Sequence, residues 1–286
     1  MDNVIGKLKD FFSPHYNGEP FTPFSAIHII TLVLLTLINF LIIIFYRNKR
    51  SKEYKKYAGR KNTGAHAVAG PVDYTKMFRL FLAIFMILNE AVYTAWSIAT
   101  GEWTLGYSLP LHLCDMAMFF SVIMLVTKNY FLYEITYFWG LGGSLQALVT
   151  PDLYPYSFPH FIYFNFFLAH GAVVTSVLFM TFVEGFKPSK KSIWKTVVFT
   201  NIYMAVIAVI DILTQGNYLF LRHKPNNPSI MDYLGPWPWY ILGLEAIGIV
   251  IMFILYIPFL ISSRKSRNSH KGHEKQIQHL EMRIEK

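Results

Sequence analysis

The chain has 286 residues, of which 53% are hydrophobic, 17% aromatic and 15% charged, and its formal net charge is +9. This composition indicates a polytopic membrane protein and excludes an ordinary soluble domain. The single cysteine also excludes an intrachain disulfide.

Stretches of about 20 mostly apolar residues recur along the chain, each long enough to cross the hydrocarbon core as a helix. In chain order, seven transmembrane helices are predicted at 25–46, 77–99, 108–127, 130–149, 159–182, 193–214 and 239–262. The fourth contains GLGGS and the seventh is entered through GPWPWY. Glycine permits close helix packing and proline is tolerated near a helix start, so both spans are retained. The predicted fold class is an all-α polytopic membrane bundle.

Lys and Arg in the connections predict the orientation. The connections on the side of the C-terminus hold twenty of these residues, and those on the side of the N-terminus hold four. Because basic residues concentrate in cytoplasmic loops, the N-terminus is predicted outside and the C-terminus in the cytoplasm of a cell-membrane protein. The predicted organisation is an external segment (1–24), a transmembrane domain (25–262) and a basic cytoplasmic tail (263–286). Basic runs such as 47–61 are interpreted as facing anionic lipid headgroups, and no nucleic acid partner is predicted.

Polar side chains recur in the outer half of the predicted bilayer. At about 1.5 Å per helical residue, six spans place such groups about 5 to 16 Å below the outer edge. They are Asn89, Glu90, His112, Cys114, Asp115, Gln146, Asn165, His170, Asp211 and Glu245. Ionisable groups in hydrocarbon are costly and usually face a bundle interior or a water-filled cavity. Since the inner half is nearly bare, the pattern predicts a polar chamber that opens to the outside or the outer leaflet.

The motif LPLHLCD (109–115) contributes three of these residues. His112 and Asp115 are three apart and share a helix face, whereas Cys114 points about 200° away from His112. A base for Cys114 therefore has to come from another helix, and His170 is the best candidate. The alternatives are that Cys114 is a small packing residue and that His170 forms an interhelical hydrogen bond. No metal-ligand spacing occurs on one helix face, and neither a metal nor a cofactor is predicted.

The longest external connection, 215–238, carries Arg222 and Lys224, the only external basic residues after the N-terminal segment. Its aromatic residues suit an interfacial belt. Alternatively, the two cations would hold a lipid phosphate or a carboxylate at the mouth of the chamber.

Five ordered motifs carry a family resemblance: LPLHLCD, WGLGGSLQALVTPDL, FFLAHG, NYLFLRHKP and LGPWPWY. Together they resemble the YwaF-type integral membrane proteins of Gram-positive bacteria over nearly the whole chain. That family is in turn similar to animal transmembrane protein 164, an acyltransferase that uses a cysteine and a histidine on separate spans. The resemblance places these two roles at Cys114 and His170, 56 residues apart in the sequence.

The resemblance implies acyl transfer with phospholipid or lysophospholipid as the lipid partner. Cys114 would attack an ester carbonyl while His170 acts as base and then as acid. Asn89, Gln146 or His112 would stabilise the oxyanion, with Asp115 and Glu90 in support. Asn165, Asp211 and Glu245 are further candidates for binding substrate.

Two other functions fit the same residues. In a transporter or ligand-binding protein, Glu90, Asp115, Asp211 and Glu245 would be ion or proton sites. In a scaffold, none of them would perform chemistry.

Overall fold

The computed structural model describes residues 9–61, 73–225 and 229–284, with side chains in 9–52, 73–225 and 229–262. Within these residues the chain is helical and contains no strand. After a helical turn at 9–12, the α-helices in chain order are α1 Ala26–Lys61, α2 Tyr74–Thr100, α3 Leu113–Thr127, α4 Tyr130–Trp139, α5 Leu145–Val149, α6 Phe161–Phe182, α7 Lys190–Thr214 and α8 Trp239–Ile284. A π-helical segment, Gly140–Ser144, joins α4 to α5, and 3-10 helices occupy Tyr218–Phe220 and Ile230–Tyr233.

Among the described residues, five helices are long and apolar enough to cross a membrane. They are Ala26–Lys52 within α1, the whole of α2, α6 and α7, and Trp239–Ser262 within α8. These five coincide with the first, second, fifth, sixth and seventh predicted spans. The architecture is therefore that of a helical membrane protein. The predicted cytoplasmic loop includes 62–72, which lie outside the described residues, as do the side chains of the predicted tail.

The third and fourth predicted spans differ from single long helices. The third was predicted over 108–127, but α3 begins only at Leu113. Pro110 disfavours helical geometry at Leu109, and a tight turn follows in which the Leu111 N–H donates to the Leu109 carbonyl at 2.7 Å. The fourth is continuous over 130–149, but it changes to π geometry at GLGGS. A Cβ on Gly140 would lie 2.9 Å from a Val173 methyl, so this glycine allows close packing against α6.

Helix α6 lies at the centre of the bundle and has more than half of its apolar window buried. Ser176 on α6 donates to Ser121 on α3 at 3.0 Å. The Tyr163 and Thr31 hydroxyls join α6 to α1 at 2.7 Å. By contrast, α1 and α8 leave most of their apolar side chains exposed. Apolar side chains on the outside of a bundle suit contact with lipid tails.

The N-terminal segment docks on the residues that precede α6. His160 lies directly before α6, and its Nε2 lies 2.8 Å from the Ser13 carbonyl oxygen. That oxygen only accepts, so Nε2 donates, and Nδ1 accepts from the Ile162 N–H at 3.2 Å. Trp96 Nε1 donates to the Phe12 carbonyl at 2.8 Å, and the Tyr156 hydroxyl donates to the Pro14 carbonyl at 3.0 Å. These contacts require a neutral His160 imidazole.

Acidification is expected to loosen this docking. Burial lowers the pKa of His160, although its hydrogen bond with the Ser13 carbonyl acts in the opposite direction. Its contribution to stability is therefore complete above the ordinary value of 6.5 and is lost as the pH falls through the lowered pKa. Hydrogen–deuterium exchange at residues 11–16, expressed as protection factors to correct for the slower intrinsic exchange in acid, should show less protection at pH 5 than at pH 7.5. His160→Asn keeps a capping oxygen and should remove this pH dependence, whereas His15→Gln, at an exposed position, should keep it.

Candidate functional site

The first turn of α3 holds the Cys114 thiol and the Asp115 carboxylate. Cys114 Sγ lies 3.6 Å from Asp115 Oδ1. The other oxygen, Asp115 Oδ2, accepts from the His112 backbone N–H at 3.1 Å. Sequence spacing placed His112 and Asp115 on one face, and the contact is made by the backbone N–H of His112 and not by its ring. Asp115 therefore caps the helix and also contacts the thiol.

The His112 ring packs among aromatic side chains. Its centroid lies 5.6 Å from that of Tyr107, 5.3 Å from that of Tyr218 and 6.1 Å from that of Phe220. Its Nε2 atom is buried and has no hydrogen-bond partner within the described part of the chain. Tyr218 is held in place within this aromatic cluster, because its hydroxyl donates to the Leu105 carbonyl at 2.8 Å and accepts from the Leu109 N–H at 2.9 Å.

Tyrosines from three parts of the chain surround Cys114 and Asp115. Tyr107 and Tyr203 are close enough to interact electrostatically with both residues. Tyr93 on α2 interacts in the same way with Asp115 and Glu90. Sequence reasoning overlooked these phenols, because they lie on different segments and no spacing along one helix relates them to Cys114. Of these hydroxyls, that of Tyr203 donates to the Leu111 carbonyl just before α3, at 2.8 Å.

A groove of about 440 Å³ opens beside this site. Its lining is apolar except for Glu90 and Thr94, and consists of Ile87, Glu90, Ala91, Thr94, Ala95, Ile98 and Phe119. Glu90 is close enough to Asp115 to interact electrostatically. Phe119 lies one helical turn beyond Asp115 on the same face of α3. Ile87 and Ile98 are exposed, so the groove faces outward from the bundle.

His170 on α6 lies at nearly the same level as Cys114. The Ser121–Ser176 hydrogen bond aligns α3 with α6. Cys114 lies seven residues before Ser121 on α3, a rise of about 10 Å, and His170 lies six residues before Ser176 on α6, a rise of about 9 Å. The two helices begin at the same end of the bundle. Cys114 and His170 are therefore separated by only a small distance along the helix axes.

The two side chains differ in direction around their helices. Around the α3 axis, Cys114 points only about 20° away from the direction of Ser121, which faces α6. Around the α6 axis, His170 points about 120° away from the direction of Ser176, which faces α3. His170 Nδ1 lies 2.9 Å from the Phe166 carbonyl oxygen and must donate to it, which leaves Nε2 as the basic atom. No hydrogen bond among the described side chains joins His170 to Cys114. The assignment of these residues as a catalytic pair stays a prediction.

The remaining candidates from the spans have separate positions. Asn165 on α6 donates to the Asn89 backbone carbonyl at 3.2 Å, which joins two predicted site residues. Glu245 accepts from Asn201 at 2.6 Å and links α8 to α7. Gln146 is exposed on α5. The structure thus distributes the predicted polar residues over several helix contacts.

The candidates in the loop after α7 have structural partners. Asp211 is buried and accepts from the Tyr218 N–H at 2.7 Å. Arg222 donates to the Gly216 carbonyl at 3.1 Å. Lys224 Nζ lies 5.6 Å from the centroid of the Tyr240 ring. These contacts order the loop that carries Tyr218 against the site.

Two buried carboxylates mark the opposite end of the bundle. Glu134 on α4 lies 2.6 Å from both Lys195 Nζ and Ser192 Oγ on α7. Glu184, just after α6, pairs with Arg50, Arg79 and Lys128. The sequence prediction treated basic residues at this end as an orientation signal and as contacts for lipid headgroups, and did not predict a buried ion pair. A lone carboxylate between apolar residues at the end of α6 is the signal that would have found Glu184.

Comparison with known proteins supplies a family. A family model described as the TMEM164 family matches residues 23–256. The match covers most of the chain, which therefore belongs to the TMEM164 family. No curated protein and no solved structure matches the chain. Within the described residues, no group of three or more His, Cys, Asp or Glu side chains is placed to hold a metal ion.

Proposed function

We propose that this member of the TMEM164 family is a seven-span lipid acyltransferase or acyl-ester hydrolase of the cell membrane. Its N-terminus would lie outside and its C-terminus in the cytoplasm, in line with the distribution of Lys and Arg. The third span would combine α3 with the non-helical residues 108–112. The fourth would be the continuous run over 130–149. The five long helices would supply the other spans.

The observation that carries the proposal is the position of Cys114 in the first turn of α3, in contact with Asp115, which interacts with Glu90 at the edge of an outward-facing groove. Helix α3 has 15 residues and covers about 22 Å of a hydrocarbon core about 30 Å thick. Its N-terminus would therefore begin below the membrane surface. The first N–H groups of a helix lack intrahelical acceptors and favour negative charge. An oxyanion formed beside Cys114 would be stabilised there.

The groove gives a lipid chain a lateral route to the thiol. Its volume of about 440 Å³ lies within the range of small-molecule sites. The exposed Ile87 and Ile98 side chains would border lipid tails, while Glu90 lies toward Asp115. A diacyl lipid would place one chain in the groove and its ester carbonyl near Cys114.

The reaction would proceed by ordinary nucleophilic acyl transfer. The Cys114 thiol proton passes to a base, and the sulfur bonds to the ester carbonyl carbon. The single bond between the carbonyl carbon and the ester oxygen breaks, and the leaving alkoxide takes the proton from the base to form a lysolipid. The hydroxyl of a second lysolipid or of water then attacks the thioester, which regenerates the thiol. His170 Nε2 is proposed as the base, and a change in its side-chain direction would bring it toward Cys114.

Blocking the groove tests this route. The protein in phosphatidylcholine nanodiscs is incubated with phosphatidylcholine carrying a labelled acyl chain, with or without lysophosphatidylcholine. Ala91→Trp fills the groove and is expected to lower labelled product at least about tenfold, because mispositioning of a reacting group has effects of this size or larger. Ala205→Trp, an exposed site on α7, is the matched control and should keep wild-type activity.

The incubations with and without lysophosphatidylcholine distinguish acyl transfer from hydrolysis. Label transferred to lysolipid indicates an acyltransferase, and label released as free fatty acid indicates a hydrolase. Equal activity in both tryptophan variants would contradict the groove as the substrate route. Wild-type protein that forms neither product would leave the transporter function ahead.

A further inference from the structure

We propose that the end of the bundle opposite Cys114 contains a binding site for a phosphate group, with an anionic lipid headgroup as its source. The site is a cavity of about 200 Å³ between the end of the apolar part of α1, the start of α2, the residue after α3 and the residues after α6. It is lined by Tyr46, Lys49, Arg50, Asp73, Tyr74, Thr75, Lys128 and Glu184. This site is independent of the proposed acyl chemistry.

Positive charge exceeds negative charge among the described residues here. Glu184 lies 2.8 Å from Lys128 Nζ, 3.1 Å from Arg79 Nε and 3.6 Å from Arg50 Nη1. Among the residues that the structure describes, the only other carboxylate that lines the cavity is Asp73. With Lys49 included, four basic side chains face two carboxylates, an excess of two positive charges.

Both carboxylates are ionised at neutral pH. Burial of Asp73 opposes ionisation, but hydrogen bonds from Thr75 and the Lys76 N–H, with the charges of Lys128 and Arg79, hold its pKa below the usual value. Burial of Glu184 acts in the same way, and its contacts with Lys128, Thr75 and Arg79 lower its pKa as well. The excess positive charge is therefore a property of the folded site near neutral pH.

Lys49 is the cation least committed to the protein. Its Nζ lies 3.1 Å from the Tyr74 ring centroid and 5.5 Å from that of Phe45. Among the described side chains it forms no ion pair, unlike Arg50 and Lys128. Its charge is therefore directed to the cavity without a carboxylate to neutralise it.

The cavity has the size and chemistry that a phosphate group requires. A volume of 200 Å³ corresponds to about six waters, which is room for a phosphate and its remaining hydration. Arg50 and Lys128 provide charged donors. The site lies where an apolar helix meets basic residues, which is the level of lipid headgroups.

The test compares two lysine variants of the full chain. Native mass spectrometry counts phosphatidylglycerol retained by protein released from nanodiscs that contain phosphatidylglycerol and phosphatidylcholine. Lys49→Gln should weaken retention of phosphatidylglycerol about tenfold, the effect of losing one hydrogen bond to a charged group. Lys76→Gln removes the same charge from an exposed position outside the cavity and should leave retention unchanged.

A second arm identifies the source of the phosphate. Inorganic phosphate is titrated into the delipidated protein in a non-ionic detergent, and the midpoint of thermal unfolding is followed. Phosphatidylglycerol retention that depends on Lys49 supports a lipid source, and a midpoint rise that depends on Lys49 supports a soluble phosphate in the same site. If both variants lose retention equally, or if neither ligand depends on Lys49, the proposal is overturned.

Discussion

Replacement of Cys114 with alanine is expected to lower acyl transfer at least about a thousandfold, since loss of a nucleophile removes the covalent route. The alanine variant should still fold, because Cys114 is a partly buried residue whose side-chain contact is with its neighbour Asp115. The measurement is release of a labelled chain from phosphatidylcholine in nanodiscs. A matched unfolding midpoint for variant and wild type separates lost chemistry from lost structure.

Variants of His170, the proposed base, and of Asp115, which contacts the thiol, refine this prediction. His170→Gln should lower the rate about a hundredfold or more, as expected when a general base is removed. Asp115→Asn keeps an oxygen that accepts from the His112 N–H, so it tests the carboxylate charge without removing the helix cap. If Asp115→Asn abolishes transfer and His170→Gln does not, Asp115 is the base. If Cys114→Ala retains wild-type activity, Cys114 is not the nucleophile.

Replacement of Glu184 with glutamine is expected to cost about 3 to 5 kcal/mol of unfolding free energy. The Glu184 side chain is only 2% exposed, and that of Arg79, its partner at 3.1 Å, is only 5% exposed. Glutamine keeps the shape but removes the charge, which leaves a buried cation without its counter-ion. The cluster joins α1, α2 and the residues after α3 and α6, so the loss should loosen one end of the bundle.

The measurement is the free energy of unfolding in mixed micelles, with Glu19→Gln at an exposed position as control. The pKa of Glu184 is lowered from 4.5, so its stabilisation is complete above 4.5 and is lost as the pH falls through the lowered value. The stability difference between wild type and Glu184→Gln should therefore shrink in acid. A cost equal to that of Glu19→Gln would contradict the role of Glu184.

Most of the helix positions followed from the sequence, because hydrocarbon requires long apolar helices and each leaves a simple pattern. The five long helices coincide with predicted spans. Where the pattern failed, the cause was local. Pro110 delays the start of α3 to Leu113, and the glycines at 140–144 permit a π-helical segment that close packing on Val173 accommodates.

The contacts of the candidate site were only partly predictable. Helix spacing separated Cys114 from His112, but it did not reveal that Asp115 contacts the thiol at 3.6 Å. That contact depends on where α3 begins, since Asp115 bends back as a helix cap. The level of His170 beside Cys114 depends on the Ser121–Ser176 hydrogen bond, and no single-helix pattern predicts contacts between helices.

The charged cluster around Glu184 shows a second limit. Counting Lys and Arg treats each basic residue as an orientation signal, whereas Arg79 is buried against a carboxylate more than a hundred positions away in the sequence. Only the packing of α2 against α6 brings these groups together. Asp211 illustrates the same limit, because its carboxylate orders the Tyr218 loop through a backbone contact that spacing does not reveal.

The most direct test of the central claim is the intact mass of the wild-type protein shortly after mixing with phosphatidylcholine of one defined acyl chain. Since the chain has one cysteine, a thioester has a single place to form. The account predicts an added mass of one acyl group, which hydroxylamine removes and which is absent in Cys114→Ala. Continued turnover with no such adduct in wild type, and equal turnover in Cys114→Ala, would contradict it.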